Sequence, residues 1–409
     1  MFFGREVTFV DGGARMLSEK MDCIRPSPTL ELTRLTMELK KKGIDVISLG
    51  AGEPDFDTPE NIKTAAINAI NSGKTKYTPV DGLPELKDAI INRTKLDYGF
   101  DYMADQVLVG AGAKQCIYNL FMATLDMGDE VIIPAPYWVS YPDMVKIAGA
   151  TPVIAGCDRS LQLDPQALRA AVTSRTKWIV INSPSNPTGV VYSKENLAAI
   201  AEVLRAYPNV AVLSDDIYAK LVYGLEFSNI LHADKSLYDR VYIVNGVSKA
   251  YSMTGWRIGY VMGSEKVIKA ASTIQSQSTT NANSIAQYAA IEAMMGSQEF
   301  LAERISAFKR RRDKVMESLG KTSILRAYEP QGAFYVFVSC ENAIGKEAPG
   351  VGVIKDGTDM SKHLLNHRVA VVPGEAFGAP QFFRISYALS DDSLLEACDR
   401  IIKACSELS

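Results

Sequence analysis

The sequence predicts an α/β fold built on a mostly parallel sheet, followed by a smaller α+β unit. Two patterns carry this expectation. From about residue 60 to 265, helical stretches alternate with short apolar runs, the rhythm of βαβ units. The runs are rich in β-branched residues and do not alternate with polar ones, as strands buried on both faces require.

The first helices expected are Glu60–Asn71, Pro84–Tyr98 and Ala113–Leu125. The strands are Gln106–Val109, Glu130–Pro134, Thr151–Ala155, Trp178–Asn182, Val210–Ser214 and Val241–Val244, with a further strand-like run at Arg257–Val261. A long helical region follows over Ile285–Leu319, and its basic run Lys309–Arg312 reads as a solvated face. Strand-like Ala333–Val338 and Phe382–Tyr387 surround a Gly-rich loop, Gly345–Gly357, and a helix closes the chain at Asp391–Ser406. The first ~50 residues are expected to join this smaller unit, because sheet domains often recruit the chain start.

Composition narrows the class. The chain has 409 residues, enough for two or more domains, and its 47% apolar and 22% charged shares are those of a soluble protein. A net charge of -3 argues against a nucleic-acid partner. Cys23, Cys116, Cys157, Cys340, Cys398 and Cys405 form no CxxC pair, which suits reduced, buried thiols in a cytoplasmic protein. No apolar run is long enough to span a membrane and the N-terminus lacks a signal-like apolar region. His232, His363 and His367 make no metal-ligand pattern, and His363 with His367 reads as a helix surface.

The stretch Ser248-Lys249, followed by Thr254-Gly255-Trp256-Arg257, places a lysine just past a strand end and an arginine eight residues later. An amine and a guanidinium fork delivered to one place suit a ligand with an aldehyde and a phosphate, such as pyridoxal phosphate. The lysine would form the imine and Arg257 would hold the dianion. Gly110-Ala111-Gly112-Ala113-Lys114 links a strand to a helix. Small residues there let backbone N–H groups approach an anion, although a tight turn needs the same residues. A dinucleotide fingerprint fails, because Gln115 holds its third glycine position.

Asp215 ends a strand and Tyr218 follows three residues later. Alone, Asp215 is a solvent-facing carboxylate; beside a pyridine nitrogen it would keep that nitrogen protonated. Tyr218 could bond the ring's 3′ oxygen. Asp216 reads as structural. In Ser183–Gly189 a turn is the ordinary reading, yet the Asn186 amide could meet both the cofactor and a substrate carboxylate. Trp138 is either core or a stacking platform. Arg384 lies in the apolar strand Phe382–Tyr387 and must find an anion there, either an internal partner or a substrate carboxylate.

Together these segments resemble the class I, fold type I, pyridoxal-phosphate aminotransferases. The resemblance covers the chain from about Leu17 to the end. It rests on Leu49–Phe56, Tyr77-Thr78-Pro79, Pro136-Tyr137-Trp138, Ser185–Gly189, Asp215–Tyr218, Ser248–Tyr260 and Arg384–Tyr387. It implies a seven-stranded, mostly parallel sheet in the large domain. The implied division is an arm and part of the small domain over 1–60, the cofactor-binding domain over 61–315, and the rest of the small domain over 316–409. Lys249 is implied as the cofactor-linking lysine, Asp215 as the pyridinium partner, Tyr218 as a 3′-oxygen ligand and Trp138 as the stacking aromatic. Asn186, Gly52, Trp138 and Arg384 match the substrate set, while Arg257, Ala113 and Lys114 match the phosphate set. Tyr77 matches a tyrosine that reaches the neighbouring subunit's phosphate, which implies a homodimer with shared sites.

One departure stands out. Many relatives carry serine three residues before the lysine, where this chain has Gly246; a phosphate bond must then come from elsewhere, with Ser248 the candidate. The segment Ile274–Ser284 contains no arginine, unlike the animal-type aspartate enzymes, whose partner subunit supplies one. Arg25-Pro26-Ser27-Pro28-Thr29 and Lys114 instead resemble the bacterial and plastid subgroup acting on aspartate and, in some members, prephenate. There Thr29 and Lys114 would bind the distal carboxylate, and Arg25 would accompany prephenate use. The expected substrates are aspartate or glutamate with oxaloacetate or 2-oxoglutarate. Another amino-acid specificity or a carbon–sulfur lyase on the same fold stays open. A transcription regulator would need a DNA-binding domain for which ~15 leading residues are too few.

Overall fold

The computed structural model describes residues 16–409. Residues 1–15, where the expected N-terminal arm begins, lie outside the described residues.

Seven strands form one sheet, in the order Val107–Gly110, Gly259–Met262, Val241–Gly246, Ala211–Asp215, Thr176–Asn182, Glu130–Pro134, Thr151–Ala155. Gly259–Met262 runs antiparallel to both neighbours, and the other pairings are parallel. The apolar runs alternate between two cores. Val107, Val109, Ile132, Ile179, Ile181, Val212 and Ile243 pack on one face; Leu108, Val131, Ile133, Val180, Leu213 and Val244 pack on the other. Burial on both faces explains why these strands carry no polar alternation. Each such side chain stabilises the fold by roughly 1.5–3 kcal/mol.

Helix boundaries follow local chemistry. Pro84 opens Pro84–Tyr98, and Gly99 closes it at φ 73°. Ala113–Thr124 starts after Gly112 at φ 90°. Among the described residues no helix is long and apolar enough to cross a membrane.

A second sheet orders Val372–Pro373, Phe382–Ser386, Tyr335–Ser339 and Arg326–Tyr328, all antiparallel. The early strand Ile47–Ser48 pairs with Val369–Ala370, bringing the segment before Gly52 beside the chain that leads into the second sheet.

The structure corrects several expectations. The region 285–319 is two helices, Ser284–Met295 and Phe300–Leu319. They part at Gly296, where a Cβ would sit 2.7 Å from the Glu292 carbonyl oxygen. The basic run is only half solvated. Arg311 and Arg312 are buried, and Arg311 grips both carboxylate oxygens of Asp55 at 2.8 and 2.9 Å and Asp391 at 3.0 Å. His363 is fully buried, with Nε2 2.9 Å from the Ala404 carbonyl, because it faces the closing helix. Arg257 precedes its strand, in the left-handed region at φ 59°. The Gly345–Gly357 segment contains a short ladder, Glu347–Ala348 with Gly352–Val353.

Candidate functional site

The parallel strands deliver their C-terminal ends to one edge, where a doubly wound sheet opens a crevice. A cavity of about 500 Å³ lies there. Lys249 and Ser248 enter it just after Val241–Gly246, Asp215 from the last position of its strand, and Ala113 and Lys114 from the start of their helix. Asn186, Trp138, Tyr218 and Arg257 reach it from loops, and Arg384 from the second sheet. Gly52 and Thr29 complete it from the early chain. Two expected residues are not among its lining. Tyr77 is 90% exposed, and Arg25 is exposed near the start of the helix Pro28–Lys41.

Lys249 Nζ donates to the Gly52 carbonyl at 2.6 Å. Desolvation lowers its pKa to about 8; Arg257 and Arg384 add to the fall, while Glu53 and Asp215 oppose it. Asp215 is buried, and its carboxylate accepts from Tyr141 Oη at 2.6 Å and the Ile217 amide at 3.3 Å. Burial still raises its pKa to about 6. Neighbouring Asp216 is turned away, held by Ser214 Oγ and Asn229 Nδ2, as a structural reading requires.

Register places the next pieces. Asn182 stands opposite Asp215 across the ladder. Its Nδ2 donates to the Asp215 carbonyl at 3.0 Å, and its Oδ1 accepts from the Asn186 amide at 2.8 Å. The Asn186 side chain then accepts from Arg384 Nη1 at 2.8 Å, and Arg384 Nη2 donates to the Gly50 carbonyl at 2.8 Å. Arg384 is 2% exposed, its Cζ lies 4.3 Å from the Tyr335 ring centroid, and its Nε has no partner. No carboxylate among the described residues forms an ion pair with it. A buried arginine held only by neutral groups, with a free donor, is prepared for an incoming anion.

Anion chemistry is concentrated at the helix Ala113–Thr124. Gly112 offers no side-chain cap, so the first N–H groups stay open. The Arg257 guanidinium lies over Gly112, where a Cβ would fall 2.4 Å from Nη2. Gly259 is needed for the same approach, since its Cβ would meet the Ala113 amide nitrogen at 2.1 Å. Gly246 faces Gly259 across the ladder, and a Cβ there would lie 2.9 Å from the Gly259 Cα. This tight backbone contact leaves no room for serine, while Ser248 lines the cavity. Lys114 Nζ sits 4.9 Å from the Trp138 ring centroid, its pKa lowered by desolvation and by Arg257.

Sequence reading missed Tyr141, Tyr335, Asn182 and Glu53. Tyr335 Oη pairs with Tyr218 Oη at 2.9 Å, and Glu53 accepts from Thr254 Oγ1 at 2.8 Å. Asn182, at the end of a parallel strand, carried a signal; the tyrosines looked like core.

A desolvated amine, a buried carboxylate, an arginine with a free donor and an open helix N-terminus define a small-molecule enzyme site that works on anionic substrates. The chain matches the model of the class I and II aminotransferases over residues 44–401, and it belongs to that family. An aspartate/prephenate aminotransferase of Cereibacter sphaeroides is 52% identical over 397 residues, covering 96% of this chain and 99% of the relative. The crystal structure of the aspartate aminotransferase from Rhizobium meliloti superposes with a TM-score of 0.94 at 47% identity, covering 97% of this chain and 100% of that one. The aspartate aminotransferase from Thermus thermophilus with maleate gives 0.89 at 40% identity, covering 96% and 100%.

The protein is therefore a pyridoxal-phosphate-dependent aminotransferase. The cavity fits that cofactor on its own terms. It offers an amine with a lowered pKa for an aldehyde, a carboxylate for a ring nitrogen, and a glycine-lined cradle with Arg257 for a phosphate.

Proposed function

We propose that the protein moves the amino group between aspartate or glutamate and the 2-oxo acids oxaloacetate and 2-oxoglutarate, and that it also accepts prephenate. One observation carries the dicarboxylate reading. Arg384, with its free Nε, and Lys114, beside Trp138, line the same cavity as Lys249. That offers two cationic groups for two carboxylates. The Cereibacter relative's name and the maleate named with the Thermus structure, itself a dicarboxylate, support it.

In this reading Arg384 and Asn186 grip the α-carboxylate, with Gly52 alongside, while Lys114 and Thr29 take the distal one. Arg25, close in sequence to Thr29, serves prephenate. Ala113, Lys114, Ser248 and Arg257 hold the phosphate, Tyr218 and Asn186 the 3′ oxygen, and Trp138 covers the ring. Pyridoxal phosphate, when bound, supplies an aldehyde for the substrate amine and a ring that accepts the electron pair released at Cα. Asp215 keeps a proton on the ring nitrogen. Lys249 Nζ, its basicity tuned by desolvation, takes the proton from the substrate Cα and holds it for return. One cavity must serve both acids in turn, so the kinetics are ping-pong.

The same reading assigns an arm and part of a small domain to 1–60, of which residues 1–15 lie outside the described ones, a large domain to 61–315 and the rest of the small domain to 316–409. Arg384 then rides on the part that closes over Lys249 and expels water. It assigns Tyr77 to the partner's phosphate in a homodimer, and the protein to the cytoplasm.

Lys249→Ala should lose both the cofactor's pH-sensitive absorbance band and transamination; normal turnover would sink the assignment. For the distal carboxylate, Lys114→Ser should harm aspartate about tenfold or more relative to alanine. Equal losses would show that Lys114 does not read it. An acceptor screen including prephenate decides the remaining specificity.

A further inference from the structure

Tyr77 is 90% exposed, so the placement of its ring depends on the loop between the helices Glu60–Asn71 and Pro84–Tyr98. That loop is held from beneath by two fully buried glutamines. Gln287 Nε2 donates to Thr78 Oγ1 at 2.9 Å, and its Oε1 accepts from the Leu83 amide at 2.8 Å. Gln275 Nε2 donates to the Val80 carbonyl at 2.6 Å and to the Val109 carbonyl at 2.8 Å. Its Oε1 accepts from Asn119 Nδ2 at 2.9 Å, on the helix that begins at Ala113. A backbone bond from the Val109 amide to the Asp81 carbonyl at 3.0 Å completes the stitching.

Gln275 lies within the segment that lacks an arginine, and Gln287 lies three residues beyond it. Both are 0% exposed, and a buried amide with all its bonds made fixes whatever it holds. We propose that Gln275 and Gln287 are positioning residues that aim Tyr77 at the cofactor phosphate of a second copy of this chain. Through Asn119, Gln275 also ties that loop to the helix whose N-terminus serves the chain's own site. The inference rests on the shared-site homodimer proposed above.

The test measures cofactor dissociation from the holoenzyme by gel filtration and fluorescence, with apoprotein melting alongside. Tyr77→Phe sets the benchmark, with an expected rise in the dissociation constant of about tenfold. Gln287→Met and Gln275→Met should each weaken retention. Thr78→Val removes the loop's acceptor for Gln287 Nε2 while leaving both glutamines in place, and should act in the same direction, whatever the folding of the glutamine variants. Combined with Tyr77→Phe, each should add nothing further. Factors that multiply would show that the amides do not act through Tyr77, as would glutamine and threonine variants that retain cofactor like the parent while Tyr77→Phe loses it. Unchanged retention in Tyr77→Phe would overturn the shared-site reading itself, and this inference with it.

Discussion

Tyr141 donates its phenolic hydrogen to Asp215 at 2.6 Å, across 74 residues of sequence and with both side chains buried. The bond opposes the desolvation that raises the Asp215 pKa to about 6. In Tyr141→Phe the carboxyl should titrate higher, so that less of it is ionised near neutrality. The acid limb of the kcat/KM profile should move to higher pH, and activity at pH 7 should fall about tenfold, the scale of one hydrogen bond to a charged group. An unmoved pH profile would mean that Tyr141 only packs.

Arg384→Lys keeps the charge and loses the fork that now spans Asn186 and the Gly50 carbonyl. Lysine cannot bond a carboxylate in the bidentate way. KM for amino and 2-oxo acids alike should rise by about 30-fold or more, equivalent to roughly 2 kcal/mol. A steady-state comparison with both substrate classes checks this, and a loss confined to one class would contradict a shared α-carboxylate grip.

Lys249 has a pKa near 8 in the fold, against an ordinary 10.5. Between those values the unfolded apoprotein holds a proton that the folded one has released. Folded stability therefore rises with pH across that window and is lost as pH falls through about 8. Denaturant titrations of apoprotein at pH 7.5 and 10 should show this gain over Lys249→Met. Modification of the apoprotein by an amine-directed reagent should follow a midpoint near 8; a midpoint near 10.5 would contradict the desolvated environment.

Arg311 links Asp55 to Asp391, joining the segment after Gly52 to the helices Phe300–Leu319 and Asp391–Ser406. Arg311→Met leaves two carboxylates without their shared cation. Asp391 keeps Lys314 at 2.8 Å, so the loss should be about 1.5 kcal/mol, read as a lower denaturation midpoint with an unchanged slope. A midpoint like the parent's would place these charges among ordinary surface pairs.

The strand-end addresses of Lys249, Asp215 and Asn186 were legible from the sequence alone. Burial on both faces makes parallel strands read as apolar runs, and whatever follows such a run arrives at the functional edge. The same local logic set the starts and ends of Glu60–Asn71, Pro84–Tyr98 and Asp391–Ser406, where proline, glycine and polar caps act within one turn. Lys309–Arg312 defeated it, because a run of like charges does not say which of its members face inward; Arg311 and Arg312 turn toward acids 256 and 1 residues away.

Only the tertiary structure decided what surrounds those addresses. Tyr141 meets Asp215 and Tyr335 meets Tyr218 through the packing of distant segments and the docking of the second sheet. Neither of these has a local signature, since a tyrosine in an apolar stretch reads as core until its hydroxyl finds a partner. Gly246 shows the reverse case. Its missing side chain reads as a lost phosphate ligand in one dimension, and in three it is the clearance that lets its strand approach Gly259, whose own lack of a side chain admits the start of the Ala113–Thr124 helix. Sequence determined which groups are delivered to the edge of the sheet, because delivery follows from periodicity and strand ends. Packing between distant segments decided their ionisation and aim, because desolvation and hydrogen bonding depend on neighbours that the chain order does not reveal.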